Sequence, residues 1–186
     1  PSTILRLKDI IDTNFENLLR DIESGNLSCM KELDPEIRIK INCKFKPNQL
    51  RASQLRELKK KKGSLIISDI WPNLKLISTW TSGNCSTLLP ALKVQLSSKS
   101  FIGEVGYMSS EFRGTINLDI RNEIQVPTLN ENFFEFVERD EWGSKSPDFL
   151  MLHEIEFGKD YYIFVTTQNG LYRYFINDII QVTGKY

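Results

Sequence analysis

Histidine is almost missing from this chain. The single one, His153, leaves no material for a Ser-His-Asp triad or a histidine-ligated metal, and it reads as a surface or packed residue. Cysteine is scarce as well. Cys29, Cys43 and Cys85 are too few for a disulfide framework, no two have zinc-knuckle spacing, and Cys85 has no basic neighbour to make it a reactive thiolate. Charge of one sign is lacking: 24 Lys and Arg face 24 Asp and Glu, which argues against a nucleic-acid partner. No apolar run approaches the ~18–20 residues that span a bilayer, and no secretory leader opens the chain. The sequons at Asn26 and Asn84 would matter only in a secreted protein, for which the cysteines give no support. What is present, 186 residues with 40% hydrophobic and 26% charged, is the composition of a soluble globular protein. Pro1 in place of an initiator methionine suggests an excised or processed piece.

The chain changes texture along its length. Ile4, Leu7, Ile11, Phe15, Leu18 and Ile22 recur at helical spacing and predict one amphipathic helix over 3–22, stopped by Gly25. Asp34-Pro35 reads as an N-cap and first-turn proline opening a second helix through Ile37 and Ile41. Pro47 is expected to open a third, with Leu50, Leu55 and Leu58 on one side and Gly63 at its end. Residues 36–62 hold ten basic and two acidic side chains. The Lys59–Lys62 run reads as the solvated end of a helix, favoured by the macrodipole, rather than as an anion site. After Trp71-Pro72 come a strand over 74–79, a small-residue turn at Ser82-Gly83-Asn84, a helix over 86–98 and a strand over 101–105: a βαβ unit with a parallel sheet. Trp71, Trp80 and Trp142 read as packing residues, with Trp80 near enough to that turn to line a pocket. Downstream, residues 114–120, 133–137, 161–166, 171–175 and 179–182 form β-rich runs. The expectation is a mixed α/β fold, one partial domain over 1–186, with a mainly helical layer over 1–70 and an α/β and strand-rich part over 71–186.

Three loops place small or hydroxyl residues after strands, where α/β sheets bind ligands. In Thr81-Ser82-Gly83-Asn84 the glycine allows close approach to a flat ligand, or marks only a turn. In Tyr107-Met108-Ser109-Ser110-Glu111 the hydroxyls can donate to phosphate oxygens, Glu111 can hold a magnesium ion and Tyr107 can face a base. The same residues also fit a helix cap with Glu111 as its capping-box carboxylate. The third runs from Thr166 to Asp178. Asn169-Gly170 predicts a hairpin pairing 171–175 with 161–166, which puts Asp178 at a strand's end. There it can accept from the vicinal hydroxyls of a ribose, or serve as a turn aspartate bonding its own backbone.

Together these stretches resemble the Gretchen Hagen family of auxin-responsive acyl-acid amido synthetases, within the adenylate-forming superfamily. Tyr107-Met108-Ser109-Ser110-Glu111 with Gly114-Thr115-Ile116-Asn117 is similar to its Tyr-x-Ser-Ser-Glu nucleotide motif and continuation. Phe133-Phe134-Glu135-Phe136 resembles its aromatic-Phe-Glu-Phe strand, and Thr166-Thr167 through Gly170-Leu171-Tyr172-Arg173-Tyr174 to Asp178 and Val182-Thr183-Gly184 its third motif. Two departures stand in the last of these: Phe175 in place of a basic residue and Asn177 in place of glycine. The family's Ser/Thr/Gly-rich phosphate loop and its smaller C-terminal domain have no counterpart in the sequence, so the resemblance implies the later half of an enzyme's large domain, inactive by itself.

The resemblance implies an ATP-dependent ligase that adenylates a carboxylic acid and joins it to an amino acid, cytoplasmic, with ATP/AMP and Mg2+ as cofactors. Its partners are those small molecules and the remainder of the parent chain, with no membrane. Ser109, Ser110 and Glu111 take catalytic places, with Ser109 and Ser110 on phosphate and Glu111 on the metal. Ser82, Gly83, Asn84 and Tyr107 flank adenine, Ser110 also contacts the nucleotide and Asp178 anchors the ribose. A degenerate nucleotide-binding or structural relic, and an acyl-CoA ligase, are the alternative readings.

Overall fold

The computed structural model describes residues 1–28, 33–42 and 44–184; Cys29 and Cys43 lie outside them. The chain forms two compact units, Pro1–Glu104 and the described residues of Val105–Tyr186. The units divide at 104/105, whereas the sequence texture changes near Trp71.

The first unit is mainly helical. In place of one helix over 3–22 there are two, α1 (Ser2–Thr13) and α2 (Phe15–Ser24), separated at Asn14. The Asn14 side chain donates to the Ile10 carbonyl at 2.9 Å, competing with the helical ladder. The apolar stripe serves two cores and divides between them within α1. Ile4 and Leu5 pack with Ile67, Ile77 and Leu92, while Ile11, Phe15, Leu19 and Ile22 pack with Ala52, Leu55 and Leu65. Leu7, expected in the stripe, is exposed. Helix α3 (Pro35–Asn42) starts as expected, with Asp34 Oδ1 accepting from the Glu36 N–H at 2.8 Å. Helix α4 (Gln49–Lys62) is capped by Asn48, whose side chain accepts from the Arg51 N–H, rather than opened by Pro47. Leu50 is 72% exposed and Ala52 takes its expected place inside. The lysine run closes α4. Lys59 lies over the Phe15 ring, and Lys62 pairs with Asp69 at the start of the short helix α5 (Ile67–Ile70).

Strands β1 (Leu76–Thr79) and β2 (Phe101–Glu104) pair in parallel, Leu76 opposite Phe101 and Thr79 opposite Glu104, which is the expected βαβ arrangement. Its crossover is not one long helix. A 3₁₀ helix, Gly83–Leu88, leads into α6 (Leu89–Lys93). Ser86 and Thr87 hydroxyls donate back to the Gly83 and Asn84 carbonyls at 2.7 and 2.8 Å, and Pro90 brings no N–H, so the tighter turn prevails.

The second unit is mainly β, with one 3₁₀ turn at Arg139–Glu141. Strands β3 (Thr115–Asp119) and β4 (Ile124–Pro127) form an antiparallel ribbon; β4, a four-residue run ending in proline, had no expectation attached to it. Strands β5 (Asn132–Glu138), β6 (Asp160–Thr167) and β7 (Tyr174–Gln181) form an antiparallel sheet. Phe134, Phe136, Tyr161, Ile163, Val165 and Phe112 build its core on one face. On the other, Trp142 packs against Tyr162, Phe164 and Phe175, whereas Trp71 and Trp80 are exposed and carry no such packing. The Asn169-Gly170 hairpin pairs β6 with β7 as expected, but the two runs 171–175 and 179–182 merge into a single strand carrying a bulge. Among the described residues no helix is long and apolar enough to cross a membrane.

Candidate functional site

Tyr107 is the residue around which the second unit's site is built. It follows β2 on an irregular loop, and its backbone is tied into the start of β3. The Tyr107 carbonyl accepts from the N–H groups of Gly114 and Thr115 at 2.8 and 3.0 Å, and the Tyr107 N–H donates to Thr115 Oγ1 at 2.8 Å. Its ring meets Phe112 edge-on at 5.7 Å. The ring also lies so close over Gly114 that a Cβ there would stand 2.3 Å from Tyr107 Cδ1, which is why that position takes glycine. From this seat the Tyr107 hydroxyl donates to Asp178 Oδ2 at 2.9 Å, joining two motifs separated by 71 residues. Burial, then the hydrogen bond to Asp178 and the negative charges of Asp178 and Glu111, push the phenol far above its ordinary range. It therefore stays a protonated donor at physiological pH.

Asp178 is not at a strand's end. It lies within β7, in the bulge between Phe175 and Ile179, and is exposed. Asn177 adopts φ 64°, the left-handed conformation that the family's glycine would take, and asparagine tolerates it best among non-glycine residues. Phe175, at the other departure, stacks with Phe164 at 5.0 Å and lies 4.7 Å from Trp142, so an aromatic layer occupies the place of the missing cation.

Ser109, Ser110 and Glu111 continue the Tyr107 loop, which turns back on itself through the Met108–Arg113 bridge and the Ser109 N–H to Phe112 carbonyl bond of 3.0 Å. No helix follows, so the capping-box alternative for Glu111 falls. Ser109 Oγ accepts from the Glu111 N–H at 3.2 Å and is partly engaged in holding the turn, while Ser110 and Glu111 are exposed. Two buried residues without an expectation steady this loop from below. Thr128 Oγ1 and Asn132 Nδ2 both donate to the Arg113 carbonyl, at 2.6 and 2.9 Å. A cleft of about 280 Å³ opens beside Glu111, lined also by Arg113, Glu131, Asn132 and residues 167–169.

Among the described residues no group of three or more His, Cys, Asp or Glu is placed to hold a metal. Glu111 offers one exposed carboxylate. That fits a hard cation which keeps its waters and draws other ligands from phosphate oxygens, as Mg2+ does, and does not fit an all-protein cage.

The Thr81–Asn84 loop belongs to the first unit. Gly83 has φ 56° with open space above it, and Ser82 and Asn84 are exposed. The segment that follows is a short 3₁₀ helix, Gly83–Leu88, in place of the start of the α-helix expected over 86–98. Sequence reading passed over the loop's anchor. Glu104, buried at the end of β2, accepts from both the N–H and the hydroxyl of Thr81 at 2.6 Å. A hollow of about 500 Å³ elsewhere in this unit, lined by Arg20, Asp21, Ser28 and Gln49 among others, contains none of the motif residues. Cys85 is half-buried and unpaired, and His153 is exposed in a turn.

Comparison with known proteins adds an independent line. A model of the GH3 family N-terminal domain matches residues 1–100, and one of the GH3 family central domain matches residues 125–186. The chain is 31% identical over 191 residues to indole-3-acetic acid-amido synthetase GH3.8 of Oryza sativa subsp. indica, covering 98% of this chain and 31% of that protein. It is 31% identical over 193 residues to indole-3-acetic acid-amido synthetase GH3.4 of Arabidopsis thaliana, covering 99% and 32%. The solved structure of AtGH3.15 acyl acid amido synthetase in complex with 2,4-DB superposes with a TM-score of 0.83 at 26% identity, covering all of this chain and 32% of that one. The chain spans about a third of the length of the curated relatives it matches.

Proposed function

Because the chain belongs to the GH3 family, we propose that it is part of an ATP-dependent acyl-acid amido synthetase and contributes nucleotide-binding residues to it. In the reaction a carboxylate oxygen attacks the α-phosphorus of ATP and the bond to pyrophosphate breaks, giving an acyl adenylate. The amine of an amino acid then attacks the acyl carbon, the C–O bond to AMP breaks, and the spare ammonium proton passes to solvent. The first step joins two anions, so positioning and charge neutralisation matter more than a general base. A magnesium ion supplies part of that neutralisation when bound, and Glu111 would hold it.

The observation that carries the reading is the Tyr107–Asp178 hydrogen bond, which brings the second and third motifs together. Within the second unit Asp178 accepts from the ribose hydroxyls and Tyr107 flanks the adenine. Ser110, with Ser109 behind it, donates to phosphate oxygens. Ser82, Gly83 and Asn84 in the first unit take the role of a backbone surface for a planar base. An ATP-consuming ligase of this kind is cytoplasmic, and its partners are a small carboxylic acid, an amino acid and the remainder of a longer chain.

Calorimetric titration of the 186-residue chain with AMP tests the reading. Binding should weaken roughly tenfold or more in Asp178→Ala, since hydrogen bonds to a charged group contribute ~1.5–3 kcal/mol. AMP affinity unchanged by that substitution removes Asp178 from the site. Pyrophosphate exchange by the full-length protein with a panel of acids, followed by amine or thiol acceptors, then separates the amido synthetase from an acyl-CoA ligase. The relic is a second reading, favoured by Phe175 and its aromatic layer standing where the family has a cation. No exchange with any acid, alongside intact AMP binding, would support it.

A further inference from the structure

We propose that Glu135 and Arg173 form a positioning pair that fixes the phase of β7 and thereby holds Asp178 against Tyr107; its functional meaning rests on the nucleotide-binding reading above. Pairing between β6 and β7 is interrupted. Phe164 faces Phe175 and Tyr162 faces Ile179, so Ile163 alone is spanned by Ile176, Asn177 and Asp178. A bulge of this kind re-aims side chains, and a slip of one residue would turn Asp178 to the other side of the sheet. The bulge is held in place only if the chain beside it is pinned.

On the hairpin side, Arg173 is the pin. Its own backbone is left-handed, φ 46°, a conformation that persists only where its surroundings over-determine it. Its N–H donates to Thr166 Oγ1 at 3.0 Å. Its side chain reaches across β6 to Glu135 on β5. Nε donates to both carboxylate oxygens at 3.1 and 3.0 Å, and Nη2 donates to Oε1. The guanidinium also lies 3.9 Å from the centre of the Phe149 ring. A planar fork held on a carboxylate and over a ring fixes direction as well as distance, which an ammonium does not.

Glu135 pays for this arrangement. It is buried on the sheet between Phe134 and Phe136, where an apolar residue would be cheaper, and burial of an ion pair is weak evidence for stability alone. Fixing the register of the strand that carries Asp178 is the return.

The test reads Tyr107 directly. In chain labelled with 13C-tyrosine, with Tyr107→Phe to assign its signal, the wild-type phenol should resist ionisation well beyond the ordinary tyrosine range. In Arg173→Lys and in Glu135→Gln it should ionise at clearly lower pH than in wild type, with burial still holding it above the ordinary range. AMP affinity should fall about fivefold or more, the order expected for a weakened charged hydrogen bond, and the preference for AMP over 2′-deoxy-AMP should shrink with it. Thr166→Val, which removes only the acceptor for the Arg173 N–H, should move the titration the same way by less and stands in if the other variants unfold. A wild-type Tyr107 titration in folded Arg173→Lys and Glu135→Gln overturns the proposal, whatever happens to thermal stability. Absence of AMP binding by the wild-type chain overturns the nucleotide reading instead, while the tyrosine titration still decides the pairing.

Discussion

Two carboxylates do opposite things in the two units. Glu104 is buried at the end of β2 and holds a loop of its own unit, accepting from the Thr81 N–H and hydroxyl at 2.6 Å. Asp178 is exposed in β7 and takes a phenol from a motif far away in sequence. Burial converts a carboxylate into scaffold, because every lone pair must be satisfied from within. Exposure leaves it able to exchange a partner for a ligand. Position after a strand, the criterion that marked both neighbourhoods in the sequence, does not distinguish these two uses.

The contrast can be broken by substitution. The largest effect is expected for Glu104→Ala, which leaves the half-buried Thr81 donors without their acceptor and a hole at a buried position, and should cost about 3 kcal/mol in chemical denaturation. A cost below about 1 kcal/mol would mean that Glu104 is not scaffold. Next is Gly114→Ala, whose methyl would collide with the Tyr107 ring; about 2 kcal/mol of stability and the Tyr107–Asp178 bond should be lost together. Asp178→Ala should leave the melting temperature within a degree or two of wild type while AMP binding falls. A large drop in melting temperature would make Asp178 scaffold as well.

The smallest effect concerns pH. The folded state raises the Tyr107 pKa, so its contribution is fully present below the unfolded value of about 10 and is lost as pH rises beyond it. Tyr107→Phe should therefore lower stability modestly at neutral pH, where the contribution is fully present, and flatten the alkaline limb of the stability–pH curve. A limb as steep as that of wild type would show that the phenol is not held by Asp178.

Much of the scaffold was legible because its signals are local. The Asn169-Gly170 hairpin, the Asp34 cap and the parallel pairing of β1 with β2 each follow from neighbouring residues. The failures share a cause, competition that periodicity does not register. Asn14 breaks a continuous apolar stripe by bonding Ile10, and the hydroxyls of Ser86 and Thr87 draw the crossover into a tighter helix. At the site, the members of the Tyr107 loop were found from their motif, but the reason for Gly114 needed the ring lying on it. The bulge moved Asp178 from a strand end to a strand interior. Glu104 and Glu135 carried one usable signal, a lone charge inside an apolar strand, which must find a partner or be expelled.

The joint at Asn14 has a consequence for how this region tolerates change. A residue inserted into an unbroken helix rotates everything beyond it by about 100° and misaligns every apolar contact downstream. Here α1 and α2 are already separate helices joined at a non-helical residue, so an insertion between Thr13 and Phe15 would be taken up as a longer link: Ile4 and Leu5 keep their core, Phe15 and Leu19 keep theirs, and only the contact of Ile11 with the second core is put at risk.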